Sequence, residues 1–271
     1  GEAVKVLVGV FIAIIMGVCC NPDSVEAGRK DGDTIFQVSL LQGLTFGDYN
    51  GNVTVKELKR HGNIGIGTFD RLNGELIMLD GVVYRAAGDG SVEVVSNKET
   101  IPFSNVTYLD ADKTKNLKNV ADYKELCGEL NKLVEERGKN RFYMIRIDGL
   151  FKKMNVRSVR AQEEPYKPLV NVLEYDQTFF DYKDIEGSIV GLYCPPYMSS
   201  LNAVGWHMHF ISKDKTRGGH VLGLNIVDAN LTWDDTNAFQ MLLPQNKMFT
   251  GFDLTIDQSE DIKKVETDIR K

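Results

Sequence analysis

The chain has 271 residues, 42% of them hydrophobic and 26% charged, with a formal net charge of -6. That is ordinary globular composition, long enough for a real core and for one large or two small domains. The acidic balance and the lack of any Lys/Arg run argue against a dedicated nucleic-acid binder, which would carry a basic patch or stripe.

The apolar run from Val6 to Cys20, behind Lys5, is shorter than the roughly 18 residues a spanning helix needs. It reads as a secretory signal. Cys19 and Cys20 after small residues loosely match a lipoprotein cleavage site, so the mature chain is expected to be secreted or lipid-tethered at the cell surface. A membrane-proximal anchor or an ordinary buried segment is the alternative, and the chain would then be cytoplasmic. Residues 1–32 are therefore set apart from the fold as leader and polar linker. Cys127 and Cys194 are the other two cysteines. One possible pair is no disulfide framework, and both read as small buried hydrophobes. Without a Cys-x-x-Cys, thiolate metal sites and dithiol redox chemistry have no support.

Thr34 to Leu44 is predicted as a strand running into a short helix, and Thr54 to His61 as a helix capped by Thr54, with Glu57 three residues on. Gly62 to Gly67 supplies small residues for close backbone approach or turning. Asp80-Gly81 splits Gly74 to Tyr84 into a hairpin, and Asp89-Gly90 marks another turn. Asn116 to Arg137 reads as one helix from apolar residues three and four apart, with Gly138 as its stop. Ile147-Asp148-Gly149-Leu150 echoes Leu79-Asp80-Gly81-Val82 and hints at two related β-rich halves. Strands are predicted at Phe142 to Ile147, Ser188 to Cys194, Gly205 to Ile211 and His220 to Val227, a solvated turn at Asp234-Asp235, and a polar helix or extension over Ser259 to Arg270.

Three of the four histidines fall within fourteen residues. His207 and His209, two apart among aromatic and apolar neighbours, share one face if they lie on a strand. Lys213 to Gly219 is turn chemistry, so a hairpin would return His220 beside them. Three converging imidazoles form the ligand set of an open zinc site. The plain alternative is a hairpin with partly exposed histidines. A His-x-His strand also suggests a cupin, but Lys213 and Asp214 stand where the cupin Glu is usual.

Blocks around these motifs carry more information. FQVSLLQGLTFGDYNGNVTVKELKRHGNIGIGTFDRLNGELIMLDGVVY, FYMIRIDGLFKKMNVRSVRAQEEPYKPL, EGSIVGLYCPPYMSSLNAVGWHMHFISKDKTRGGHVLG and the short KKVE together resemble the bacterial alpha-acetolactate decarboxylases, in order from about Ile35 onward. The resemblance implies an α/β (α+β-like) fold of two β-rich domains with mixed sheets, divided as 33–138 and 139–271. It implies a metal site on a β-hairpin of the C-terminal half and a homodimer. The implied activity is decarboxylation of 2-acetolactate to acetoin through an enediolate, with zinc on His207, His209 and His220. It further places catalytic residues at Glu75, Arg157 and Glu266, with Glu260 as the alternative to Glu266. Read without the resemblance, Glu75 is a solvated turn residue and Arg157 part of a basic face, with Arg146 its rival. Thr68 is a possible pocket residue and His61 a surface helix end. The alternative functions are another zinc lyase or hydrolase for small keto or hydroxy acids, and a non-enzymatic metal-binding surface protein.

Overall fold

The first strand, β1 (Thr34–Val38), runs directly into α1 (Leu41–Phe46), which Gly47 ends in the left-handed conformation. Then come β2 (Val53–Thr54) and α2 (Val55–Leu58), whose cap is Thr54: its side chain accepts from the Glu57 amide. β3 (Ile64–Thr68) contains two glycines because its neighbour comes too close for a side chain. A Cβ at Gly67 would sit 2.4 Å from the Phe103 carbonyl oxygen. β4 (Glu75–Leu79) and β5 (Val82–Ala86) form the predicted hairpin, with Asp80 and Gly81 both at positive φ as a two-residue turn of this hand requires. β6 (Val92–Val94), β7 (Thr100–Ile101) and β8 (Ser104–Thr107) complete this part.

The second part begins with β9 (Thr114–Val120) and α3 (Tyr123–Arg137), followed by β10 (Phe142–Val159), α4 (Leu169–Asp176), β11 (Gln177–Cys194), β12 (Gly205–Ser212), β13 (Gly218–Thr236) and β14 (Ala238–Leu242). Two short helices, α5 (Lys247–Thr250) and α6 (Ser259–Glu266), close the chain. This is a computed structural model, and it describes residues 34–110 and 113–267. The leader expected over 1–32 and the expected helix end at Arg270 lie outside them. Among the described residues no helix is long and apolar enough to cross a membrane.

Seven strands make one sheet in the order β14-β1-β8-β3-β4-β5-β6, antiparallel except where β14 joins β1 in parallel. Five make a second, β10-β11-β12-β13-β9, and β10 also pairs with β13, so four of its strands close on themselves, while β2 and β7 form a separate antiparallel pair. The two larger sheets share a core. Ile35, Ile66 and Ile77 of the first meet Met144, Val190 and Ile211 of the second. The expected mixed α/β, strand-rich fold is the one found. All described residues belong to one compact unit, and the chain changes sheet between Thr107 and Thr114, ahead of α3.

Three local expectations change. Residues 114–120 are a strand and not the first turns of a helix. Leu117 and Val120 are both buried, three apart, and Asn119 between them adopts positive φ. That kink switches the buried face and imitates helical spacing. The helix starts only at Tyr123, where the Asp122 carboxylate accepts from the Glu125 amide. The strand expected over Phe142 to Ile147 does not stop at Asp148-Gly149, which is the middle of β10. Gly149 faces Gly187 on one side and Ala229 on the other, and a Cβ there would lie 2.2 Å from the Asp228 carbonyl oxygen. The same dipeptide thus makes a turn in the first sheet and a close strand contact in the second.

Asp234-Asp235 is likewise not a solvated turn but part of β13, with Asp234 buried. Asp235 takes Lys113 at 2.6 Å, Arg137 at 2.8 Å and Arg141 at 3.0 Å. Burial alone would raise its carboxyl, but hydrogen bonds and charge from Lys113 and Arg137 overcome this and hold it at about 2. Because the folded value lies below the unfolded one, the contribution is present above pH ~4 and disappears as pH falls to ~2. It amounts to at most about 2.5 kcal/mol, reduced by water around the half-exposed cations. Unfolding free energies of wild type and Asp235→Asn, measured across pH, are expected to differ at pH 6 and converge toward pH 2. A gap independent of pH would refute this source of stability.

Candidate metal centre

Side-chain alternation aims the site. On β12, Met208 and Phe210 enter the core of the second sheet, which leaves His207, His209 and Ile211 facing the first sheet. Strand β13 returns through residues 213–217 and sets His220 opposite His209 in register. On β4, Ile77 and Leu79 face the second sheet, and Glu75 shares their side.

The predicted histidines converge. His207 Nε2 lies 3.1 Å from both His209 Nε2 and His220 Nδ1, and the three candidate ligand atoms lie within 4.8 Å of one another. His209 Nδ1 is 2.8 Å from the Leu76 carbonyl oxygen, so this nitrogen carries the proton and Nε2 presents its lone pair inward. His209 and His220 are almost fully buried. Burial, with Arg157 nearby, drops His207 to about 3 and takes His209 and His220 well below their usual range, so all three rings are neutral.

This donor set fits a cation. One ring N–H on His207 can serve only one of its two 3.1 Å contacts, so lone pairs would otherwise face each other. Four nitrogens bound at 2.0–2.1 Å around a tetrahedral ion stand about 3.3 Å apart, close to the spacing here. The Leu76 carbonyl is the kind of outer partner that orients a ligating imidazole.

The predicted carboxylates and arginine also assemble here. Glu75 Oε2 lies 3.3 Å from His209 Nε2, and Glu266 Oε2 lies 3.7 Å from Nε2 of both His207 and His220. Burial lifts Glu75 to about 7 against the pull of Arg157, with Glu266 adding to the rise. Burial lifts Glu266 to about 7 as well, again against Arg157. A divalent ion would draw both back down. Arg157 is 6% exposed, so it is no part of a solvated basic face. Its guanidinium donates to the Val265 carbonyl, and its Nε has no hydrogen-bond partner among the described residues.

The rivals lie elsewhere. Arg146 is held by Asp80 and Asp148, Glu260 pairs with Lys263 on the surface, and His61 stacks on Phe36 while contacting Glu57. Thr68 lines the cavity and donates to the Gly74 carbonyl, which braces the turn leading to Glu75. What sequence reasoning missed is the apolar side of the cavity, formed by Leu41 and Leu44 of α1, Leu169 and Leu173 of α4, and Val265 of α6. The apolar spacing in LVNVLEYD behind Pro168 was the available signal for α4.

The family model for alpha-acetolactate decarboxylase matches residues 35–256. The alpha-acetolactate decarboxylase of Methanosarcina mazei is 38% identical over 91% of this chain and 86% of its own length. The Bacillus subtilis enzyme is 35% identical over 91% of this chain and 96% of its own. The chain belongs to the alpha-acetolactate decarboxylase family. The crystal structure of that enzyme from Bacillus subtilis strain 168 superposes with a TM-score of 0.83 at 34% identity, covering 87% of this chain and 100% of that one. An acetolactate decarboxylase is a carboxy-lyase acting on a small molecule, and the residues described above line a cavity of about 50 Å³. In this chain the histidine triad could hold a metal ion, and the family is known as metal-dependent.

Proposed function

We propose that the chain converts 2-acetolactate to acetoin and carbon dioxide with one zinc ion held by His207, His209 and His220. The observation that carries this reading is the meeting of three imidazoles beside two partly buried carboxyls and one buried guanidinium. With both carboxyls ionised, Arg157 and a divalent ion leave one net positive charge, which a monoanionic substrate neutralises.

Acetolactate carries a ketone, a tertiary hydroxyl and a carboxylate on adjacent carbons. Loss of carbon dioxide leaves an electron pair on the hydroxyl-bearing carbon, which delocalises into the ketone as an enediolate. Zinc, when bound, supplies a Lewis acid where that charge develops, worth several kcal/mol. Arg157 presents a planar donor fork, one donor of it unsatisfied among the described residues, that orients the anionic substrate. Glu75 accepts the hydroxyl proton and delivers one to carbon, which sets the product's handedness; a second proton, drawn from solvent, restores the hydroxyl, so one proton is consumed per carbon dioxide released. Beside a bound divalent ion Glu75 stays ionised and so ready to accept the hydroxyl proton. Glu266 closes the site from the tail and shares this proton handling. The apolar side from α1, α4 and α6 keeps bulk water away.

A homodimer and an exported or lipid-tethered form belong to the same reading, supported by the resemblance and by the apolar run before Cys19 and Cys20. Light scattering and cell fractionation test them.

The test of the main reading is metal analysis of the purified full chain alongside an acetoin and carbon dioxide assay. About one zinc per chain is expected, with activity lost on chelation and restored by zinc. Full turnover by metal-free protein would overturn zinc dependence. Stoichiometric metal with no turnover of acetolactate would point instead to another zinc lyase or hydrolase.

A further inference from the structure

The cavity beside the histidines has two unlike ends. Its polar groups, the histidines with Glu75, Arg157 and Glu266, sit at one end, and α1, α4 and α6 line the other with aliphatic side chains. The ketone, hydroxyl and carboxylate of the substrate belong at the polar end. Only its alkyl groups can turn toward the aliphatic end without leaving polar atoms unpaired.

That aliphatic wall is not backed uniformly. Leu41, Leu44, Leu169, Leu173 and Val265 all belong to one buried cluster with Tyr49 and Phe103, so the difference lies in what else each side chain faces. Of these, only Leu173 and Val265, themselves buried, also line a second space, a half-open surface groove of about 290 Å³ between α4 and α6. The two side chains are therefore a thin partition between the small site cavity and a larger space. The far side of that space carries Glu174 and Lys264, both exposed. Packed interiors resist enlargement, whereas a partition backed by empty space yields when one side chain is shortened.

We propose that Leu173, together with Val265, sets the upper size limit for the alkyl group on the carbon that loses carbon dioxide. This rests on the acetolactate reading of the site. Shortening Leu173 joins the cavity to the groove and admits a longer chain, which then runs between α4 and α6. Shortening Leu44, which packed side chains back, opens only the volume it vacates.

The test uses zinc-loaded full-length protein and 2-hydroxy-3-oxo acids bearing methyl, ethyl or propyl at the reacting carbon, with carbon dioxide release as the readout. Wild type is expected to prefer methyl over propyl by at least tenfold in kcat/KM. In Leu173→Ala the propyl-to-methyl ratio is expected to rise tenfold or more, and in Leu44→Ala by less than threefold. An unchanged ratio in folded Leu173→Ala, or an equal rise in Leu44→Ala, overturns the proposal. If Leu173→Ala does not fold, Val265→Ala reads the same partition from α6 and is held to the same outcomes. Absence of turnover of the methyl substrate by wild type would refute the underlying reading instead, so the two failures are distinguishable.

Discussion

His207→Ala is expected to lose bound metal and turnover together, with kcat at least ~10³-fold below wild type because the Lewis acid worth several kcal/mol goes with the ligand. His207 is the best of the three to remove. It is the most exposed of the triad, with 13% of its side chain accessible against 1% for His209 and 2% for His220. His209 also ties β12 to β4 through the Leu76 carbonyl, so its loss would mix a packing effect with a metal effect. Removing His207 leaves two imidazoles, too few to hold a labile divalent ion firmly. Metal content by mass spectrometry, kcat by acetoin formation and thermal unfolding by circular dichroism should be read on the same preparation. A variant that keeps stoichiometric metal, or stays within tenfold of wild-type turnover, would show that the triad is not the working ligand set.

Glu75→Gln should separate binding from chemistry. Glutamine keeps the shape and a hydrogen-bonding oxygen but can neither accept nor deliver the proton. General acid–base assistance is typically worth 10²–10⁴-fold, so kcat should fall by about that much while zinc content stays near one per chain. KM should move little, because Arg157 and the ligand set remain to bind the anion. Near-full activity in Glu75→Gln would remove Glu75 from the proton path. Loss of zinc would recast it as a metal ligand, a role its 3.3 Å approach to His209 makes worth checking.

Part of this protein could be read without coordinates because the controlling physics is local. His207 and His209 two apart, followed by a glycine-rich bend and His220, need only strand alternation and a turn to meet, and both properties reside in neighbouring residues. The same holds for Asp80-Gly81, whose positive φ values make a tight hairpin, and for Thr54, whose side chain meets an amide three residues on. The sequence blocks around these motifs also carried the family and, through it, Glu75, Arg157 and Glu266.

Tertiary structure decided whatever depends on which strand lies alongside which. Local pattern gave Arg146 and Arg157 equal standing. Only the sheet register buries Arg157 against the tail and leaves Arg146 with Asp80 and Asp148. Asp148-Gly149 has the letters of a turn, yet strands on both sides hold it extended. Leu117 and Val120 have helical spacing, yet a strand kinked at Asn119 buries both. Glu75, solvated by its local signal, becomes a largely covered carboxyl because the second sheet lies over it. The aliphatic wall from α1, α4 and α6 joins segments more than 200 residues apart in the chain, from Leu41 to Val265, and no periodicity spans that distance. Spacing along a chain encodes the direction of a side chain. What that side chain meets is settled by long-range packing, where burial and desolvation act.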